Sequence, residues 1–185
     1  MFNKNNIMLD METLGVRPGS VILSIGATLI QPKEAYEAGI THHNFYRKID
    51  YKNSLDCGFT TDANTIKWWE GQDRATWEEM MRDTVSVTQA LNEFSDYCNS
   101  VGDSRLIWSK GADFDCVLLS EYYLRMGIER PWKYNQTRCY RTLSELQGVP
   151  APDYINTYKH NALADAIHQA DHAALIFQWL EKHHG

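Results

Sequence analysis

No stretch of the 185-residue sequence approaches the ~20 consecutive apolar residues needed to cross a membrane as a helix. The opening residues, Met1 to Asn6, lack the basic-then-apolar pattern of a secretory signal. Both absences point to the cytoplasm. Cysteine is sparse and scattered: Cys57, Cys98, Cys116 and Cys139 include no CxxC pair, which excludes a zinc knuckle and a dithiol redox motif. Reduced thiols are expected in that compartment. Positive charge is also short, since 18 Lys and Arg against 24 Asp and Glu leave a net charge of −6. On average, then, the surface lacks the basic character usual in proteins that grip long nucleic acid. That balance still allows an enzyme that works at a chain end, where few phosphates need neutralising. Internal repeats, low-complexity tracts and linkers are absent too, so the chain reads as one domain, residues 1–185.

What is present is an ordinary globular balance, 43% hydrophobic and 23% charged. A strand is predicted from Ile7 to Glu12, then a turn at Gly15, Pro18 and Gly19. A second strand, Val21 to Ile30, is apolar at nearly every position, as a strand buried on both faces should be. Asn44 to Ile49 is a third, completing a meander. Helices follow, from the caps Asp62 and Asp73 and over Val85 to Asn99, where Val87, Leu91, Phe94 and Cys98 share one face. Arg105 to Trp108 is a short strand. Phe114 to Met126 and Thr142 to Leu146 are helices stopped by Gly127 and Gly148. Pro150 to Lys159 is an exposed loop. Asn161 caps a last helix that buries Leu163, Ile167, Ala170, Ala174 and Phe177. The sum is a mixed α/β sheet with helices packed on it.

Asp10 and Glu12 are two apart on the first strand, so both carboxylates share one face. Charges there are costly unless paired or bound to a cation. Asp115 lies where a strand passes into a helix, and alone it reads as a helix cap, a role for which Asp113 competes. Asp165 falls in the first turn of the last helix, whose positive end favours the ionised form. His160 precedes that helix. An imidazole there can swing over a site that Asp165 helps build, and histidine is the residue type most used as a general base.

Together these residues resemble the DEDDh exonucleases of the RNase H-like fold, which include proofreading exonucleases and oligoribonucleases. Asp10-Met11-Glu12-Thr13-Leu14-Gly15 resembles their first motif. Phe114-Asp115, with Leu118 and Leu119, resembles the second. His160-Asn161-Ala162-Leu163-Ala164-Asp165 resembles the third, with the His-x4-Asp spacing of this branch. Ser24 to Ala27, Trp68 to Gln72, Arg141 to Leu143 and Ala164 to Ala170 are similar to the phage and prophage-type subgroup, which also includes bacterial exoribonucleases. The likeness runs in order along nearly the whole chain. One departure is that Lys110 and Gly111 stand where an Asn usually precedes the second motif.

The resemblance implies an antiparallel N-terminal meander joined to parallel strands, with flanking helices. It also implies two-metal-ion hydrolysis at a 3′ end that releases 5′-mononucleotides. Oxygen ligands suit Mg²⁺ or Mn²⁺, and a pair of such ions can serve both the nucleophile and the leaving oxygen. Asp10 would bridge the ions, Glu12 and Asp165 would hold the first, and Asp115 would support the second. His160 would take the proton of the attacking water. Thr13 and Leu14 would touch the terminal sugar and base, and Phe114 would line the cleft or pack in the core. Trp68 and Trp69 are adjacent and cannot share a helix face, so one enters the core and the other either stacks on a base or serves packing alone. Arg138 and Arg141 are phosphate contacts or surface salt-bridge partners. His168 and His172, lacking a zincin Glu, read as solvated, and His183 and His184 as a polar tail. The partner is a single-stranded 3′ end of DNA or RNA. A homodimer is common among such relatives, though no sequence feature establishes one. A non-catalytic binding module and an endonuclease are the competing readings.

Overall fold

The computed structural model describes residues 5–32, 43–103, 105–152 and 160–184, with the His184 side chain left out. Three strands form first: β1 (Asn6–Thr13), β2 (Ile22–Leu29) and β3 (Asn44–Lys48). Four helices follow: α1 (Tyr51–Asp56), α2 (Ala63–Glu70), α3 (Arg74–Met80) and α4 (Val87–Ser100). Then come β4 (Leu106–Ser109), α5 (Asp115–Arg125), β5 (Thr137–Cys139), α6 (Tyr140–Ser144) and α7 (Ala162–His184). The sheet order is β3-β2-β1-β4-β5. β1 pairs antiparallel with β2, and β2 with β3, while β4 and β5 add in parallel. This is the expected mixed sheet, with its meander on one side. No helix among the described residues is long and apolar enough to cross a membrane.

The alternation of β1 divides the interior. Ile7, Leu9 and Met11 enter the larger apolar cluster with Leu91 and Phe94 of α4 and Leu118, Leu119 and Tyr122 of α5. Met8 enters the second cluster with Tyr140 and Leu143 of α6 and Ala166, Ala170 and Phe177 of α7. Asp10 and Glu12 therefore face the α7 side. β2 is buried along almost its whole length, as its apolar run predicts for a strand covered on both faces.

Local signals act where expected. Asp62 Oδ1 accepts from the Asn64 and Thr65 N–H groups at 2.9 and 3.0 Å, capping α2. Asn161 Oδ1 accepts from Ala164 N–H at 3.0 Å at the start of α7. Gly127, at φ 65°, ends α5. All four cysteines are free.

Several expectations need correction. α1 and β5 were not legible: α1 is six polar-rich residues held by the Asp50 cap, and β5 is three half-buried residues whose pairing β4 supplies. α6 begins at Tyr140, ahead of the expected Thr142, because Tyr140 and Leu143 anchor it in the second cluster. Asp115 is not a cap, since Phe114 holds that position and Asp115 is the first helical residue. α7 buries Ala170, Ala174 and Phe177 as expected, together with Ala162, Ala166 and Ala173, but leaves Leu163 and Ile167 half-buried. His172 is buried, not solvated: Nε2 donates to the Pro150 carbonyl at 2.7 Å and Nδ1 meets the Tyr140 hydroxyl at 2.6 Å. His168 is half-buried, and His183 belongs to the last turn of α7, stacked on Trp179. Within the predicted Pro150–Lys159 loop, residues 151 and 152 are exposed, and 153–159 lie outside the described residues.

The alanine face has a physical cause. A Cβ on Gly26 of β2 would stand 2.2 Å from the Ala162 carbonyl carbon and the Leu163 nitrogen. The first turn of α7 therefore rests on the bare backbone of β2, and only small side chains fit where helix and sheet approach so closely. Gly26→Ala should destabilise the fold by about 1–3 kcal/mol or more through overpacking, read from urea unfolding. A loss below about 0.5 kcal/mol, the range of neutral surface changes, would show that α7 is not seated there.

Candidate active site

The seat of α7 decides what meets what. Gly26 pairs with Asp10 across the β1–β2 ladder, and Ser24 with Glu12. The helix turn that lies over Gly26 carries Asp165. One carboxylate oxygen each from Asp10, Glu12 and Asp165 lies within 4.8 Å of the others. The ladder slips between Glu12 and Thr13, so the chain turns away immediately after the second acid.

Asp115 comes from the other side of the sheet. β1, β4 and β5 run parallel, so their carboxyl ends open together, and α5 begins just beyond β4. Asp115 is buried there. It accepts hydrogen bonds from its own backbone N–H, the Ser109 side chain and the Met11 backbone, and the Arg141 guanidinium stands near enough to favour its charged form.

The electrostatics are those of acids crowded out of water. Burial, then the charges of Asp165 and Asp115, lift Glu12 from 4.5 to about 8. Burial first, and the neighbouring Asp115 next, push Asp10 well above the usual carboxylate range, against a hydrogen bond from Gln169. Burial also raises Asp115. Such a cluster asks for a cation, and its donors are all carboxylate oxygens, the chemistry of Mg²⁺ or Mn²⁺ sites. The residues present fit that role.

The other predicted residues divide. Trp69 is the buried member of its pair, and its Nε1–H donates to the Thr13 carbonyl at 2.9 Å. Trp68 is 46% exposed and sets its ring edge-on to His160, with centroids 4.8 Å apart. His160 itself has φ 61°, a left-handed conformation uncommon outside glycine. The three rings thus link the end of β1 to the segment that leads into α7. The Thr13 hydroxyl donates to the Gly15 carbonyl at 2.8 Å, closing its own turn. Leu14 is buried and lines a cavity of about 600 Å³ with Tyr51, Trp69 and Trp77. Phe114 is half-buried against the larger cluster. Arg141 donates to the Lys110 carbonyl at 3.1 Å, at the rim of the Asp115 side. Arg138 turns back to the Asn135 and Thr137 carbonyls, toward the opposite end of β5.

Two residues were given no role in the sequence reading. Ser109 follows from no motif. Gln169 donates from Nε2 to Asp10 Oδ1 at 2.8 Å. Its signal was its place four residues after Asp165, which puts both on one helix face.

A family model described as the 3′-5′ exoribonuclease Rv2179c-like domain matches residues 5–177. No curated protein matches the sequence. Among solved structures, the chain is similar to the nuclease domain of 3′hExo, a DEDDh family member, bound to rAMP. That likeness has a TM-score of 0.58 at 12% identity and covers 95% of this chain and 92% of that one. It is also similar to cell-death related nuclease 4 (CRN-4), with a TM-score of 0.51 at 9% identity over 95% of this chain and 64% of the other. The mixed sheet and its flanking helices are the RNase H-like fold of those nucleases.

The raised carboxylates make stability depend on pH in a defined direction. Between 4.5 and about 8 the folded protein keeps a proton on Glu12 that the unfolded chain gives up. Stability from this source is full below that window and is lost as pH rises through it. The metal-free protein should therefore melt at a lower temperature at about pH 8.5 than at about pH 6. Mn²⁺ should raise the melting temperature most at the alkaline end, because the ligands must be ionised to bind. A metal-free melting temperature that climbs over this range would refute the buried, mutually repelling cluster.

Proposed function

Because this chain belongs to the 3′-5′ exoribonuclease Rv2179c-like domain family, we propose that it removes 5′-mononucleotides from the 3′ end of single-stranded RNA. The observation that carries this reading is the convergence of Asp10, Glu12 and Asp165, from a first strand and a last helix, on one oxygen-rich site. Asp115 completes the set from β4's carboxyl end. Asp10, Glu12 and Asp165 would hold one divalent cation and Asp10 with Asp115 a second, Mg²⁺ or Mn²⁺. Such ions, when bound, supply positive charge to the attacking and leaving oxygens of the phosphodiester.

The chain's own residues do the rest. His160 accepts the proton of the attacking water at a ring nitrogen. Its left-handed backbone and its edge contact with Trp68 favour a fixed ring at that position. The half-exposed Trp68 offers a face on which a base can stack. Leu14 and Thr13 border the terminal nucleotide, whose base takes the apolar cavity beside Leu14 and Trp69. Arg141 meets a phosphate at the rim. Arg138 Nη1 is engaged by the Asn135 and Thr137 carbonyls, so Arg141 is the arginine we assign to a phosphate. RNA is chosen over DNA on the family's description and on the rAMP bound by the similar 3′hExo domain. A site for one terminal nucleotide also suits a protein of net charge −6, because that nucleotide's phosphates need little positive surface.

The test is a time course on 5′-labelled single-stranded RNA and DNA of matched sequence, with Mg²⁺ or Mn²⁺. The expected result is a ladder shortening from the 3′ end, faster on RNA, with mononucleotide product. Asp10→Asn should abolish it. His160→Asn, which tolerates the left-handed backbone, should slow it by about 10²–10⁴-fold as expected for a lost general base. Oligonucleotide products would point to an endonuclease. Binding without cleavage by well-folded protein would point to a non-catalytic module.

The tryptophan pair separates in the same assay. Trp68→Ala should weaken RNA binding by about 1–3 kcal/mol and leave the fold intact. Trp69→Ala should cost about 3–5 kcal/mol of stability as a buried aromatic. Equal effects of the two on KM and on melting temperature would remove Trp68 from the site.

A further inference from the structure

The face of α7 that meets the sheet is built from Ala162, Ala166, Ala170 and Ala173, all buried. Gln169 interrupts this row, at 6% exposure. Its Nε2 donates to Asp10 Oδ1 at 2.8 Å. Its Oε1 is buried and meets no donor among the described residues. His172, the other polar residue buried on this helix, is partnered at both ring nitrogens. Gln169 is not.

A buried amide with one end unpartnered is a net burden on a fold. An aliphatic side chain of similar length would fill the same space without it. Packing therefore does not account for Gln169, and the bond to Asp10 does. That bond takes one oxygen of the carboxylate and fixes its rotation. With a cation bound Asp10 would be ionised and could only accept, which is the role the Nε2–H donor of Gln169 suits. Lys or Arg in this place would also donate, but each would neutralise Asp10 and compete with a cation for it. An amide orients the acid and leaves its charge available.

We propose that Gln169 is a positioning residue that orients the Asp10 carboxylate for cation binding. The proposal rests on the reading of Asp10, Glu12 and Asp165 as a metal centre. Groups that hydrogen-bond to metal ligands from behind commonly govern affinity by 10–100-fold, and Gln169 stands in that relation to Asp10.

The experiment is Mn²⁺ titration by calorimetry, followed by the electron paramagnetic resonance spectrum of the bound ion, on wild type, Gln169→Leu and Gln169→Met. Melting temperatures are taken on the metal-free proteins. Met retains the unbranched length of Gln and serves if Leu disturbs the fold. The expected result is a loss of about 10–100-fold in Mn²⁺ affinity, an altered Mn²⁺ spectrum, and a melting temperature equal to or above that of wild type. A lowered melting temperature with unchanged Mn²⁺ affinity would make Gln169 structural and overturn the proposal. Wild type that binds Mn²⁺ while both variants bind it equally well would overturn the role of Gln169 and leave the metal centre standing. Wild type that binds no Mn²⁺ would overturn the metal centre, and this role with it.

Discussion

The first turn of α7 reaches the sheet because β2 presents a hydrogen atom, not a side chain, at position 26. Gly26 is also the cross-strand partner of Asp10. One close approach thus fixes the distance between the two ends of the chain and brings Asp165 beside Asp10 and Glu12. The alanines of α7 extend the same contact along the helix, and Met8 and Phe177 close it with apolar surface. The acids themselves repel one another, so the attraction that assembles them must come from this packing.

The cluster is consequently a place where the fold works against its own stability. Glu12 and Asp10 are held in surroundings that favour their protonated forms, chiefly because water is excluded. The strain is eased from three directions. The positive end of α7 lies at Asp165. Hydrogen bonds from Ser109 and from backbone groups reach Asp115, with Arg141 nearby. Gln169 reaches Asp10. None of these adds a cation inside the cluster, so the carboxylates suit the cation site proposed above.

Much of this was legible from local chemistry. Alternation in β1 put Asp10 and Glu12 on one face, and the continuous apolar run of β2 marked a strand covered twice. Asp62 and Asn161 announced their helices because a short polar side chain satisfies exposed N–H groups in a recognisable place. The pattern failed where tertiary contact decides. β5 is a strand because β4 offers an edge, and α1 is too short for periodicity to show. Adjacency said that Trp68 and Trp69 must part, but only the Thr13 carbonyl, reached across the fold, determines which one goes inside. Periodicity on α7 favoured Leu163 and Ile167 for burial, yet hydrophobicity yields to size where backbone meets backbone. His172 looked polar and therefore wet, because a lone residue type says nothing of a Tyr140 hydroxyl and a Pro150 carbonyl waiting on either side. The grouping of the acids came from a resemblance in motif order, since no local rule spans the distance from β1 to α7.

The alanine row has a consequence for how this protein can vary. At an acid, an exchange of similar shape keeps the scaffold and removes the chemistry. At Gly26, Ala162 or Ala166 there is no chemistry to remove, yet any added carbon wedges helix from sheet and moves Asp165 away from its partners. Positions that carry no functional group are thus also ones where a single added carbon disturbs the acidic cluster. The smallest residues in the protein act as its gauge blocks: they measure out the gap, and the acidic side chains inherit the dimension.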